Sequence, residues 1–149
     1  MIYVLWDIYL LILVILLFFR YGKELDLSLD AITERLSLMA NFKPFHTIRN
    51  YITAYRLGNI SRTLVTYNLL GNFILFLPFG ILLPVVTRIR KRNVLPVILI
   101  TIISVEILQL ITGLGSLDVD DLILNFSGAV LGFICYVLCT VNQKNKKKR

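Results

Sequence analysis

The chain reads as an all-α membrane protein with four transmembrane helices and a long extracytoplasmic first loop that carries one or two short interfacial amphipathic helices. Three observations predict this. Of 149 residues, 57% are hydrophobic and the mean hydropathy is +0.78, more apolar surface than a soluble domain of this size can hide. Windows free of Lys and Arg run over residues 2–19, 64–86, 94–112 and 122–139, each near the roughly 20 residues that cross a bilayer. Basic residues crowd into the second connection and the tail, the asymmetry that sets orientation in membrane proteins. With no internal repeat and no Gly/Ser linker, residues 1–149 are expected to form one domain.

The first apolar run lacks a basic n-region, and Phe18-Phe19-Arg20-Tyr21 offers no small-residue cleavage site. It is therefore expected to stay attached as a span rather than leave as a signal peptide. In the loop that follows, Leu29, Ile32, Leu36 and Met39 recur at helical spacing with Asp30, Glu34 and Arg35 between them. Ile48, Tyr51, Ile52 and Tyr55 repeat the pattern before Gly58. Two short amphipathic helices on the outer interface are the expectation. Arg49, Thr53 and Arg56 share the polar face of the second, where two guanidinium groups suit a lipid phosphate or a phosphorylated ligand. Snorkelling to ordinary headgroups is the simpler explanation of both.

The second span contains Leu77-Pro78-Phe79-Gly80 and later Pro84, and a proline inside a helix frees a carbonyl one turn back, so a bend near the middle is expected. In the fourth, Asp121, Asn125, Gly128, Gly132, Cys135 and Cys139 fall at steps of four and three. Gly128-x-x-x-Gly132 is a close-approach pattern, so this strip is expected to pack on neighbouring helices and carry Asp121 and Asn125 inward. The two cysteines read as small apolar packing groups, since no His or further Cys completes a metal set.

Arg88, Arg90, Lys91 and Arg92 fall in the second connection, and Lys144, Lys146, Lys147, Lys148 and Arg149 form a basic tail over residues 142–149. The connection 113–121 has three Asp and no Lys or Arg. Both termini are therefore expected in the cytoplasm. Arg20, Lys23, Arg35, Lys43, Arg49, Arg56 and Arg62 in the first loop dissent, but they are spread among four acids over a long segment. The net charge of +7 is accounted for by orientation and by attraction to anionic lipid, with no need for nucleic acid.

The polar residues of the spans share one depth. Asn68 and Asn72 are i, i+4 partners, and Glu106 and Gln109 are i, i+3, so each pair forms one stripe. At 1.5 Å per residue, Asn72 lies about 12 Å, Glu106 about 9 Å and Asn125 about 5 Å from the outer ends of their spans. Polar groups in hydrocarbon are costly, and several at one depth suggest mutual pairing around a site. A charged Glu106 needs donors such as the Asn or Gln amides. Asp118 also suits the N-cap of the fourth span, with Asp121 answering at the third helical position and Asp118, Asp120 and Asp121 all favouring the positive helix end. The candidate pocket is thus Asn68, Asn72, Glu106, Gln109, Asp118, Asp120, Asp121 and Asn125.

Asn41-Phe42-Lys43-Pro44-Phe45, Asn68-Leu69-Leu70-Gly71-Asn72-Phe73-Ile74-Leu75-Phe76-Leu77-Pro78-Phe79-Gly80, Glu106-Ile107-Leu108-Gln109 and Asp118-Val119-Asp120-Asp121-Leu122-Ile123-Leu124-Asn125-Phe126-Ser127-Gly128 together resemble the VanZ-like family of small bacterial membrane proteins. The resemblance covers about residues 40–135. It implies a bacterial inner-membrane location and a link to tolerance of the glycopeptide antibiotic teicoplanin, known for the founding member. It supplies a phenotype rather than a reaction, and its motif residues are those of the polar constellation.

Three function classes follow. In the first, an outer-facing pocket binds or remodels a membrane lipid or a lipid-linked cell-wall precursor. In the second, Glu106 is the acid or base of a membrane-embedded enzyme, with Asp118, Asp120 and Asp121 holding Mg²⁺ through oxygen ligands. No nucleophile beside a base and no Gly-rich phosphate loop supports it, and the only histidine, His46, lies in the first loop. No cofactor or resident metal is expected. The third is a proton-coupled transporter or a partner subunit; four spans without two matching halves suit an autonomous carrier only as a homodimer, for which the Gly128 and Gly132 strip is a candidate surface, packing within the monomer being its simpler use.

Overall fold

The computed structural model describes residues 1–19, 25–38 and 40–146. Arg20, Tyr21, Lys23, Met39, Lys147, Lys148 and Arg149, invoked above, lie outside the described residues. Among those described, six helices follow in order: α1 (Ile2–Phe18), α2 (Leu29–Leu38), α3 (His46–Arg56), α4 (Arg62–Thr87), α5 (Lys91–Thr112) and α6 (Val119–Lys146).

Helices α4, α5 and α6 are long and apolar enough to cross a membrane, and α1 is a shorter apolar helix. Its 17 residues extend about 25 Å at 1.5 Å per residue, somewhat less than a hydrocarbon core of about 30 Å. Two short helices, α2 and α3, stand between α1 and α4, in the segment where the amphipathic pair is expected. Pro78 and Pro84 both lie inside α4, which remains one helix across them.

Helices α4 and α6 form the main packing seam. Side chains are absent where the two backbones meet: an added Cβ on Gly128 would collide with the Phe73 carbonyl, on Gly132 with the Leu77 carbonyl, and on Gly80 with the Ala129 carbonyl. Without a hydrophobic drive between helices in lipid, such close backbone approach is what holds them. The anticipated strip is real at Gly128 and Gly132 but ends there, because Cys135 and Cys139 are exposed. Val94, Ile98 and Ile102 of α5 close the core against Phe76 and Ala129, all fully buried.

Helix α1 runs antiparallel to α4. Trp6 stacks on Phe79 at 5.5 Å, the Tyr9 hydroxyl donates to the Leu75 carbonyl at 2.8 Å, and Gln109 Nε2 donates to the Leu17 carbonyl at 2.8 Å. The last contact satisfies a carbonyl that the helix end leaves without an intrahelical partner.

The first loop folds over one end of the bundle, α2 against α5 and α3 against α4 and α6. Arg35, read above as part of a polar helix face, is only 7% exposed. Its guanidinium donates to the Ala31 carbonyl at 2.9 Å and the Asp26 carbonyl at 2.6 Å, and lies against Gly113, the α5 C-cap. The negative end of α5 is a favourable place for a cation, which is why this arginine leaves water.

Candidate functional site

At that covered end, α1 and α5 finish while α4 and α6 begin, and the expected constellation is there in two tiers. The lower tier is buried. Glu106, 3% exposed, accepts from Asn125 Nδ2 and from the Asp118 N–H, both at a long 3.4 Å. Asn125 is 1% exposed, and its Oδ1 has no hydrogen-bond partner. A carboxylate and a carboxamide so deeply placed need donors; the helix start of α6 supplies one of them through its backbone.

The upper tier opens onto a cavity of about 410 Å³, within the roughly 300–1,000 Å³ typical of small-molecule sites. Asn68, Asn72, Gln109, Asp118 and Asp121 all line it. Asn72 Nδ2 donates to Asp121 Oδ1, joining α4 to α6, and Asn68 Nδ2 donates to the Leu64 carbonyl of its own helix at 2.9 Å. Thr47 and Tyr51 of α3 and Ser116 of the α5–α6 connection add hydroxyls, while Leu16, Leu17, Leu64, Leu69 and Leu75 make the apolar wall. Of the Asn and Gln amides considered as donors to Glu106, Asn125 meets it, while the Gln109 amide ties α5 to α1.

Two of the aspartates also build a clamp that the sequence did not announce. Asp118 Oδ2 accepts from Thr47 Oγ1 at 2.6 Å, and its Oδ1 accepts from Asn41 Nδ2 at 3.1 Å and from the Asp120 N–H at 2.8 Å. The last bond is the anticipated N-cap, an oxygen on the second helical N–H. Asn41 adds a short parallel β-bridge to Asp118: its N–H donates to the Leu117 carbonyl at 2.8 Å, and its carbonyl accepts from the Val119 N–H at 3.0 Å.

Asp120 is fully buried and reaches the start of α3, accepting from the Phe45 and Ile48 N–H groups. A carboxylate there satisfies orphan donors and meets the positive helix end. It also holds Phe45, whose φ of 62° is left-handed, a conformation that costs a non-glycine residue about 1–2 kcal/mol. Asn41 and Phe45 stand in the first motif block, and Thr47 lies two residues beyond it.

The three aspartates therefore diverge: Asp118 to Asn41 and Thr47, Asp120 to the α3 backbone, Asp121 to Asn72. Among the described residues no group of three or more His, Cys, Asp or Glu converges in a way that could hold a metal. Arg49 and Arg56 are exposed on α3, and neither lines the cavity. His46 is exposed beside Asn50.

No solved structure matches the chain. Protein VanZ of Enterococcus faecium is 31% identical over 108 residues, which are 66% of this chain and 66% of that protein; the chain thus spans just under two thirds of that relative's length. A family model described as VanZ/LLP1 matches residues 6–140. That match takes in the clamp, the buried tier and the cavity alike, and the chain belongs to the VanZ/LLP1 family.

Proposed function

We propose that this VanZ/LLP1 protein binds or alters a lipid or lipid-linked envelope component in a polar pocket at the outer leaflet of the bacterial inner membrane, and so lowers what a teicoplanin-type glycopeptide can reach. In this reading α1 joins α4, α5 and α6 as a fourth span, with both termini in the cytoplasm. Arg88, Arg90, Lys91 and Arg92 lie at the opposite end of α4 and α5 from the cavity, which supports an outward-facing pocket.

The observation that carries the reading is the cavity itself: six polar residues from three helices and a connection, scattered over residues 68–121, line one recess at one end of an apolar bundle. Polar side chains at such depth are expensive unless they serve one another or a ligand. The test is labelled teicoplanin bound to cells that express wild type, Glu106→Gln or Asp121→Asn at equal membrane levels. Wild type should lower binding and raise tolerance, and both variants should lose the effect. Unchanged binding and tolerance in both variants would remove the proposal.

A further inference from the structure

Two recesses at the covered end share a wall. Beside the polar cavity, an apolar groove of about 390 Å³ lies between α1 and α4, lined by Tyr67, Leu70, Gly71 and Ile74 among others. Leu16 of α1 and Leu75 of α4 line both recesses. Tyr67, Leu70 and Ile74 are each more than half exposed, so the groove opens sideways on the bundle surface. Along α4 it runs from Thr66 to Leu75, about 13 Å at 1.5 Å per residue, close to the roughly 15 Å of one hydrocarbon leaflet, half of a 30 Å core. Groove and cavity lie side by side over the same stretch of α4, and the groove follows the helix axis as an acyl chain in a leaflet does.

The lining selects the headgroup. The cavity offers amides and carboxylates from separate helices, Asn68, Gln109 and Asp121 among them, and among the described residues no Lys or Arg lines it. Phosphate is bound by cations and by converging N–H donors; beside a carboxylate it is repelled. Hydroxyl groups, which donate and accept, match a mixed wall of amide, hydroxyl and carboxylate.

We infer that cavity and groove together hold one lipid with an uncharged, sugar-type headgroup, its hydroxyls against Asn68, Gln109 and Asp121 and one acyl chain along Leu70 and Ile74. This rests on the lipid-pocket reading above and narrows it to a chemical class.

The test is native mass spectrometry of the full-length protein, extracted in a polyoxyethylene detergent that carries no sugar, with monoglucosyl diacylglycerol and phosphatidylglycerol of identical chains as probes. Wild type should hold the glucosyl lipid about tenfold more tightly. Asp121→Asn should erase that preference, and Ile74→Trp, at an exposed position, should weaken the glucosyl lipid by filling the groove. Melting midpoints near that of wild type would show both variants folded, and the headgroup comparison on wild type needs no variant. Equal or tighter binding of phosphatidylglycerol that responds to Asp121→Asn would overturn the sugar assignment and leave the lipid pocket standing. Binding of both lipids indifferent to both substitutions would remove the two together, and glucosyl selectivity indifferent to Ile74→Trp would overturn the groove.

Discussion

Asp120 and Asp121 are neighbours in the chain, yet the first is fully buried with both oxygens on backbone N–H groups of α3, while the second is partly exposed at a cavity and paired to an amide of α4. One helical step of about 100° separates them, and it divides a structural clamp from a site wall. A run of acids at a helix start is thus not one functional object. What each carboxylate does depends on which neighbouring element its face meets, here the segment before and within α3 for Asp118 and Asp120 and α4 for Asp121.

The largest effect that would break this contrast is at the clamp. Asp120→Ala removes a fully buried carboxylate from two backbone donors at the start of α3 and should cost about 3 kcal/mol or more, since hydrogen bonds to charged groups contribute about 1.5–3 kcal/mol each. Thermal melting in detergent checks it, and an unshifted midpoint would mean that the clamp holds nothing. Next comes the seam beneath both regions: Gly128→Leu should destabilise by about 1–3 kcal/mol, because a side chain must displace the Phe73 carbonyl. The same melt reads it.

Asp121→Asn leaves an oxygen for Asn72 Nδ2 to donate to and should cost about 1 kcal/mol or less, the usual worth of one hydrogen bond, while abolishing tolerance. A variant that lost both would place Asp121 with the clamp. The smallest effect lies outside both regions. The Ser28 N–H and hydroxyl, with a lesser contribution from Arg35, hold the exposed Asp26 carboxyl below its ordinary 3.8. A depressed carboxyl contributes stability above its ordinary value and loses it as the pH falls through the lowered one. Ser28→Ala should raise the Asp26 titration midpoint toward 3.8 in an NMR titration, with no change in tolerance at neutral pH.

The three long apolar helices α4, α5 and α6 and the placing of the polar stripes were legible, the first from apolar length and the second from helical periodicity. Asn68 and Asn72, like Glu106 and Gln109, sit on one helical stripe, and antiparallel neighbours bring stripes of equal depth together. Gly128-x-x-x-Gly132 also named its own use, although its partner Gly80 stood among apolar residues with nothing to mark it. The clamp was not legible, because Asp118 and Asn41 are 77 positions apart and an acid at a helix start has a sufficient local explanation as a cap. Arg35 misled for a related reason: amphipathic spacing gives the direction of a side chain, and only the packed bundle reveals that a helix terminus waits there. Gln109 was placed at the right depth, but the carbonyl it serves belongs to an end of α1 that no local pattern marks.

The glycine contacts between α4 and α6 fix more than a distance. Each glycine faces one particular carbonyl, so sliding one helix past the other by a turn, about 5.4 Å, would set bulky side chains where only hydrogen atoms now fit. The pair therefore has a single permitted registry, like teeth cut for one mesh. Asn72 and Asp121 meet above that mesh, and their alignment is inherited from it rather than achieved by their own bond.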